Sequence, residues 1–289
     1  MSQVGGSIID CFAPRPLTGS PVAVFETHPG LEPAALDALA TAVAMPAVTV
    51  AGRDPVTLAC AEPTGGIADA PTVAMAAVAS LGRSGGLPAR ICLDDETYRV
   101  ASDRPGQLWI GVQPPTVAPI DVPVEALSTA LGLEREQIAP VIEQAPLAVA
   151  AGAASHLVVP VTYLSALAAI AVDTVALRDL CAAHGADAVF CYSFDTLTQG
   201  AAVHGRQVPH GQAHPVASAT GALACISALR SVGAIGGASE TVVVEQGDHW
   251  GRPTRMTIDT SDSPRIGGRV QHTGELTLEA AVPGDTILE

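Results

Sequence analysis

Two long apolar stretches dominate the pattern of hydrophobic and polar positions along the chain. Residues 73–81 and 217–229 contain no charged side chain, and each stretch follows a proline, Pro71 or Pro215. Proline is tolerated in the first turn of a helix, where its missing N–H would have no partner. Since a helix that is apolar all round is buried all round, the pattern predicts two central helices, one in each half of the chain.

Strand-like segments and amphipathic helices surround both apolar stretches in a repeated order. The strand-like segments are residues 7–12, 22–25, 47–51, 56–61, 90–93, 97–101, 107–112, 156–161, 188–194, 200–208, 241–245, 254–260, 267–272 and 274–278, and the surface helices are residues 33–45, 124–131 and 177–184. The order predicts an α+β fold with two pseudo-symmetric domains, each a curved sheet or barrel wrapped around a central apolar helix.

A proline-rich stretch, residues 113–123, has the composition of a linker. It places the domain boundary near residue 115, with an N-terminal domain at 1–115 and a C-terminal domain at 116–289. The final strands are expected either to complete the second domain or to cross back to the first.

The starts of the two apolar helices are the first candidate for a binding site. The first N–H groups of any helix lack partners within the helix, and the helix dipole makes this end attractive to anions. If both starts converge on one cleft, they form a two-sided seat for an anion such as a carboxylate.

Net charge restricts the classes of partner. The chain has 29 acidic and 14 basic residues, a formal charge of −15. Such a balance argues against nucleic acids and anionic membranes. We also find no apolar run of membrane-spanning length and no secretory signal at the start, which together predict a cytoplasmic location.

The kinds of reactive side chain limit the chemistry further. All 14 basic residues are arginine, so a lysine Schiff base to pyridoxal phosphate is excluded. The six cysteines are scattered, without the spacing of a metal site. We therefore expect neither a cofactor nor a metal.

Several short motifs, in order along most of the chain, are similar to those of a known family. They are residues 10–12 (Asp-Cys-Phe) with 19–21 (Gly-Ser-Pro), residues 203–209 with 214–215, and residues 245–247 and 251–253 with the strand at 266–268. In these motifs the chain resembles the PhzF-like proteins of phenazine biosynthesis, within the wider diaminopimelate epimerase-like fold. The resemblance implies cofactor-independent isomerisation of a small carboxylate, and a homodimer.

The chain departs from that family where its acid–base groups are expected. The family's catalytic glutamate falls on Ala47, its Gly-His-Pro on residues 69–71, and its Glu-Asp-Pro on residues 213–215. The following Thr-Gly-Ser falls on residues 217–219, with residues 220–221 as a shifted equivalent. A methyl group cannot transfer a proton. Either another group moves the proton, or the protein does not catalyse this reaction.

His214 and Asp69 are the candidate catalytic residues. His214 stands at the family's acid–base position, where a helix start favours the neutral imidazole that can act as a base. Its alternative role is a structural cap. Asp69 precedes the other helix, where it can exchange a proton, bind a substrate amine, or simply cap backbone N–H groups.

The candidate binding residues lie in the turns and first helical turns near these two positions. They are Ser20, Thr72, His210, Ser218, Ala219 and Thr220. For the hydroxyl residues, bonding to the local backbone is the alternative. Glu62, which precedes the first apolar helix, is interpreted as a packing or turn residue.

Three functions fit these features. The first is a cofactor-independent isomerase that moves a proton or a double bond in a small unsaturated or cyclic amino-acid-like carboxylate of a specialised bacterial pathway. The second is a catalytically inactive protein of the same fold that binds a small acid. The third is a purely structural or interaction role.

Overall fold

A computed structural model describes residues 2–26, 31–63, 66–67, 69–138, 147–211, 215–235 and 241–280. The strands are β1 (Ser2–Cys11), β2 (Ser20–Phe25), β3 (Ala47–Arg53), β4 (Val56–Ala61), β5 (Arg90–Leu93), β6 (Glu96–Arg104), β7 (Gln107–Gly111), β8 (Thr116–Pro119), β9 (Ala148–Ala151), β10 (His156–Pro160), β11 (Ala188–Ser193), β12 (Ala201–Pro209), β13 (Thr241–Gln246), β14 (Thr254–Asp259) and β15 (Arg265–Ala280). The helices are α1 (Pro33–Val43), α2 (Ala70–Ser84), α3 (Val124–Leu131), α4 (Arg135–Ile138), α5 (Leu164–Ala169), α6 (Thr174–His184) and α7 (Ala219–Ser231).

The strands form one continuous hydrogen-bonded series, and β15 joins its two halves. In the first half, β1 to β7 follow one another in chain order, and β15 pairs with both β7 and β1, which closes an eight-stranded barrel. In the second half, the series runs from β15 through β14 back to β8. The sixteen-residue strand β15 therefore belongs to both halves.

The two halves repeat one arrangement, as the sequence pattern predicts. In the first, β2 and β3 are parallel, β3 and β4 antiparallel, and β4 and β5 parallel around α2. In the second, β10 and β11 are parallel, β11 and β12 antiparallel, and β12 and β13 parallel around α7. The predicted α+β fold with two pseudo-symmetric halves is confirmed.

Both central helices lie in the largest hydrophobic cluster. Residues 71–78 of α2 are all buried, as is most of α7, and the two helices share this cluster with strands of both halves. Helix α2 has its proline in the first turn, as predicted. Helix α7 instead begins at Ala219, because the Ser218 hydroxyl accepts a hydrogen bond from the Gly221 N–H and caps the helix there.

Other segments differ from the sequence-based expectation. The stretch interpreted as a linker contains β8, which pairs antiparallel with β9. This strand escapes recognition because it ends in Pro119, and proline is tolerated only on strands at a sheet edge. The two strands expected at 267–272 and 274–278 are one strand, β15. None of the helices in the described ranges is long and apolar enough to cross a membrane.

Two glycines allow α7 to pack closely against the sheet. A Cβ atom at Gly221 would lie 2.3 Å from Cδ2 of Phe190, and one at Gly205 would lie 2.3 Å from Cζ of the same ring. Phe190 is fully buried on β11, so its ring has no space into which it can retreat.

We therefore expect Gly221→Ala to lower the free energy of unfolding by about 1–3 kcal/mol, the usual range for overpacking a core. Chemical denaturation of purified protein measures this change. Gly85→Ala is the control, since a Cβ atom at this position, at the end of α2, would have no atom of a packed neighbour within 4 Å. Equal stability of the Gly221→Ala variant and the native chain would contradict this description of the core.

Candidate active site

A cavity of about 380 Å³ lies where the starts of α2 and α7 meet. Its lining is mostly apolar, and its two charged side chains within the described part of the chain are both carboxyls. The polar side chains around it are those of Ser20, Thr41, Glu62, Asp69, Thr72, Gln207 and Ser218. An apolar cavity with a few polar groups at one end is typical of small-molecule sites.

Asp69 connects the two central helices directly. It precedes α2, yet its Oδ2 accepts hydrogen bonds from the Ala219 N–H (2.8 Å) and from the Thr72 hydroxyl (2.5 Å). Its Oδ1 accepts a hydrogen bond from the Thr220 N–H at 3.0 Å. The two helix starts therefore converge, and a carboxylate that belongs to the start of α2 caps the start of α7.

The expected empty anion seat at the start of α7 is not present, because Asp69 fills it. The Ala219 and Thr220 N–H groups bind Asp69, while Gly221 and Ala222 donate to the side chain and the carbonyl of Ser218. All four leading donors of α7 therefore have partners. At α2, the Thr72 and Val73 N–H groups donate to the Asp69 carbonyl.

Glu62 is the functional candidate that sequence reasoning missed. It follows the last residue of β4, Ala61, which pairs across the sheet with Ala47 on β3. The glutamate therefore stands beside the strand position where the PhzF-like family has its own glutamate. Register between strands brings the two positions together, and the sequence alone contains no signal of that register.

The environment of Glu62 favours its neutral, protonated form. Burial, and then the negative charge of Asp69, raise its pKa to about 8, although a hydrogen bond from the Asp69 N–H acts in the opposite direction. Its Oε1 is buried and has no hydrogen-bond partner among the described residues. A carboxyl with a free oxygen and a pKa near neutrality is well suited to exchange protons with a ligand.

The candidate binding residues other than His210 fall into two groups. Ser20, Thr72 and Ser218 line the cavity. Ala219 and Thr220 stand behind it, and their N–H groups are occupied by Asp69.

The two candidate histidines are not placed in this cavity by the described structure. His210 lines a different cavity, together with Arg206 and Trp250. It is not among the described residues that line the cavity at Asp69, so its assignment to that cleft stays a prediction from the sequence. His214 lies outside the described residues.

Comparison with known proteins identifies the fold. No family model and no curated protein matches the sequence. A solved structure of a PhzF-family phenazine biosynthesis protein from Bacillus anthracis superposes with a TM-score of 0.83 at 16% identity, covering 96% of this chain and 100% of that one. The chain has the PhzF-like fold.

Other solved structures share this fold with lower TM-scores. A protein described as a predicted epimerase from Pseudomonas aeruginosa superposes with a TM-score of 0.77 at 21% identity, covering 96% of this chain and 100% of that one. A hydroxyproline epimerase from Agrobacterium vitis, with bound trans-4-hydroxy-L-proline, reaches 0.53 at 11% identity, with 98% and 94% covered. Solved proteins that share the fold of this chain therefore include epimerases.

The raised pKa of Glu62 predicts that the free energy of unfolding decreases as pH rises. Between about pH 4.5 and 8 the folded protein keeps a proton that the unfolded chain loses, so the contribution of Glu62 to stability is largest below this window and is lost through it. The side chain of the Glu62→Gln variant stays neutral at every pH. The denaturant midpoint of this variant should therefore rise relative to that of the native protein as pH increases from 5 to 9.

Denaturant titrations at several pH values measure this difference. Glu32→Gln, which removes a carboxylate at an exposed position before α1, is the control for the substitution itself. A difference between Glu62→Gln and the native protein that stays constant from pH 5 to 9 would contradict the shifted pKa.

Proposed function

We propose that the protein is a cofactor-independent isomerase that moves a proton, or a proton and a double bond, within a small unsaturated or cyclic amino-acid-like metabolite. The PhzF-like fold supports the reaction class, since its solved neighbours include epimerases. The observation that carries the proposal is Glu62, an acid–base group with a free oxygen in an otherwise mostly apolar cavity.

Glu62 is the proton carrier in this proposal. Its ionised form removes a proton from an acidic C–H bond of the ligand, and the electron pair is delocalised over the unsaturated system. The resulting carboxylic acid then returns the proton to another carbon, so that no atom is gained or lost. With a pKa of about 8, about a tenth of the carboxyl is ionised at pH 7, and both forms are accessible during turnover.

The arrangement favours migration of a double bond over inversion of a stereocentre. Inversion needs acid–base groups on both faces of the reacting carbon, whereas one group suffices to move a proton between two carbons on one face. Among the described lining residues, Glu62 and Asp69 are the titratable ones, and both oxygens of Asp69 already accept hydrogen bonds. Glu62 alone therefore supports transfer on one face.

Three further features stay predictions from the sequence. His214 precedes Pro215, which lines the cavity, and it remains the candidate for a second proton-transfer group. A role in a specialised biosynthetic pathway and a homodimeric state follow from the family resemblance alone.

Deuterium exchange tests the proposed chemistry. In D₂O, the native protein should incorporate deuterium into at least one probe of a panel consisting of L-proline, trans-4-hydroxy-L-proline and 3,4-dehydro-L-proline, detected by proton NMR. Glu62→Gln should reduce the rate by about 10²–10⁴-fold, the usual contribution of an acid–base group. Because the base must be ionised, kcat/KM should rise with pH and level off above about pH 8.

Circular dichroism and the unfolding midpoint of Glu62→Gln establish that the variant is folded. Binding of the probes without any deuterium uptake would favour the alternative, a catalytically inactive small-molecule binder. Full exchange by the Glu62→Gln variant would remove the central residue of the proposal.

A further inference from the structure

The titratable groups among the described residues that line the cavity are both acids. They are Glu62 and Asp69, and no arginine or histidine of the described residues lines the cavity. The whole chain also has a formal charge of −15. A buried ligand charge is tolerated when it is paired and hydrogen-bonded, so the lining formed by the described residues is complementary to a cation.

A ligand carboxylate would find no partner at the start of α7. The four leading N–H groups of this helix are occupied by Asp69 and Ser218. The carboxylate would also approach Asp69, whose like charge repels it in a low-dielectric environment. At the start of α7, the carboxylate of Asp69 already occupies the position that would otherwise attract an anionic ligand.

Asp69 keeps capacity for one more donor. A carboxylate oxygen can accept two hydrogen bonds. Among the described residues, Oδ2 accepts two hydrogen bonds, from Ala219 and Thr72, and Oδ1 accepts one, from Thr220. Asp69 is 8% exposed and lines the cavity, so we assign the remaining acceptor position to a ligand there.

We propose that the Asp69 carboxylate binds a protonated nitrogen of the ligand, an amine or a cyclic iminium, while the neighbouring Glu62 exchanges the proton. The inference rests on the proposed function only in placing the ligand in this cavity. It also gives the two carboxyls different roles: Asp69, held by three donors, accepts the hydrogen bond from the ligand nitrogen. Glu62, whose Oε1 has no partner among the described residues, supplies the exchangeable proton. A positive nitrogen acidifies the adjacent C–H bonds, which assists a single weak base.

Two matched probes separate recognition of the nitrogen from recognition of the carboxylate. L-Proline methyl ester keeps a protonated amine and has no carboxylate, whereas N-acetyl-L-proline keeps the carboxylate and has no basic nitrogen. Titrations at pH 6, followed by ligand-observed NMR, use folded Glu62→Gln protein, so that turnover cannot affect the result. The methyl ester should bind at least about tenfold more tightly, as one charge-assisted hydrogen bond implies.

Equal binding, tighter binding of N-acetyl-L-proline, or binding of neither probe would overturn the inference. These results are independent of the deuterium experiment. Deuterium uptake together with a preference for N-acetyl-L-proline would overturn this inference alone. Preference for the methyl ester without deuterium uptake would overturn the proposed isomerase and leave the amine site in place.

An aspartate variant identifies the residue responsible. Asp69→Asn, made in the Glu62→Gln protein, should abolish the preference for the methyl ester. Asp173→Asn is the matched control, because Asp173 also caps a helix, α6, with hydrogen bonds of 3.0 Å from the Val175 and Ala176 N–H groups, and it is not among the residues that line the cavity. A preference that survives Asp69→Asn would contradict the assignment; the comparison of the two probes stands even if this variant does not fold.

Discussion

The hydrogen bonds between Asp69 and the opposite helix fix the geometry of the molecule's centre. They join a residue at the start of one central helix to the N–H groups of the other, 150 and 151 positions further along the chain. Charge-assisted hydrogen bonds to backbone N–H groups are among the stronger ones in proteins. Because this contact lies on the wall of the cavity, one carboxylate both joins the two central helices and contributes an acidic group to the described lining of the cavity.

The same carboxylate determines the chemistry of its neighbour. A fixed negative charge beside Glu62, in a buried setting, favours the protonated acid. At Ala47, where the related family has its glutamate, the side chain is fully buried among apolar groups that include Ala23, Leu36 and Ala61. The chain therefore has an apolar contact at Ala47, and the carboxyl of Glu62 follows the residue that pairs with it on the adjacent strand.

Much of the fold could be predicted from the sequence, because the two central helices have no polar face and the elements around them repeat. The exact start of α7 could not, since it depends on whether Ser218 or a residue near Pro215 provides the better cap. Strand β8 is short and ends in proline, so its composition is that of a linker. Buried helices and strands produce a recognisable pattern of apolar residues. Short strands at a sheet edge produce almost none.

The candidate site was predicted less well, for a different reason. Asp69 was identified by its place before an apolar helix, but its partners on α7 are contacts across the molecule that no local pattern encodes. The sequence favours packing or a turn for Glu62, since its place beside the Ala47 position follows only from the pairing of Ala61 with Ala47. Residues whose chemistry depends on long-range neighbours become visible only when the strands are placed in register.

The sharing of β15 between the two halves has a consequence for biosynthesis. The N-terminal barrel needs this strand to close, pairing it with both β1 and β7, yet β15 follows every other described element in the chain. During translation, the first seven strands therefore emerge with both barrel edges exposed, and they must wait for the rest of the protein. Unpaired edges of this kind promote aggregation, so chaperone protection of the nascent chain would matter most during that interval.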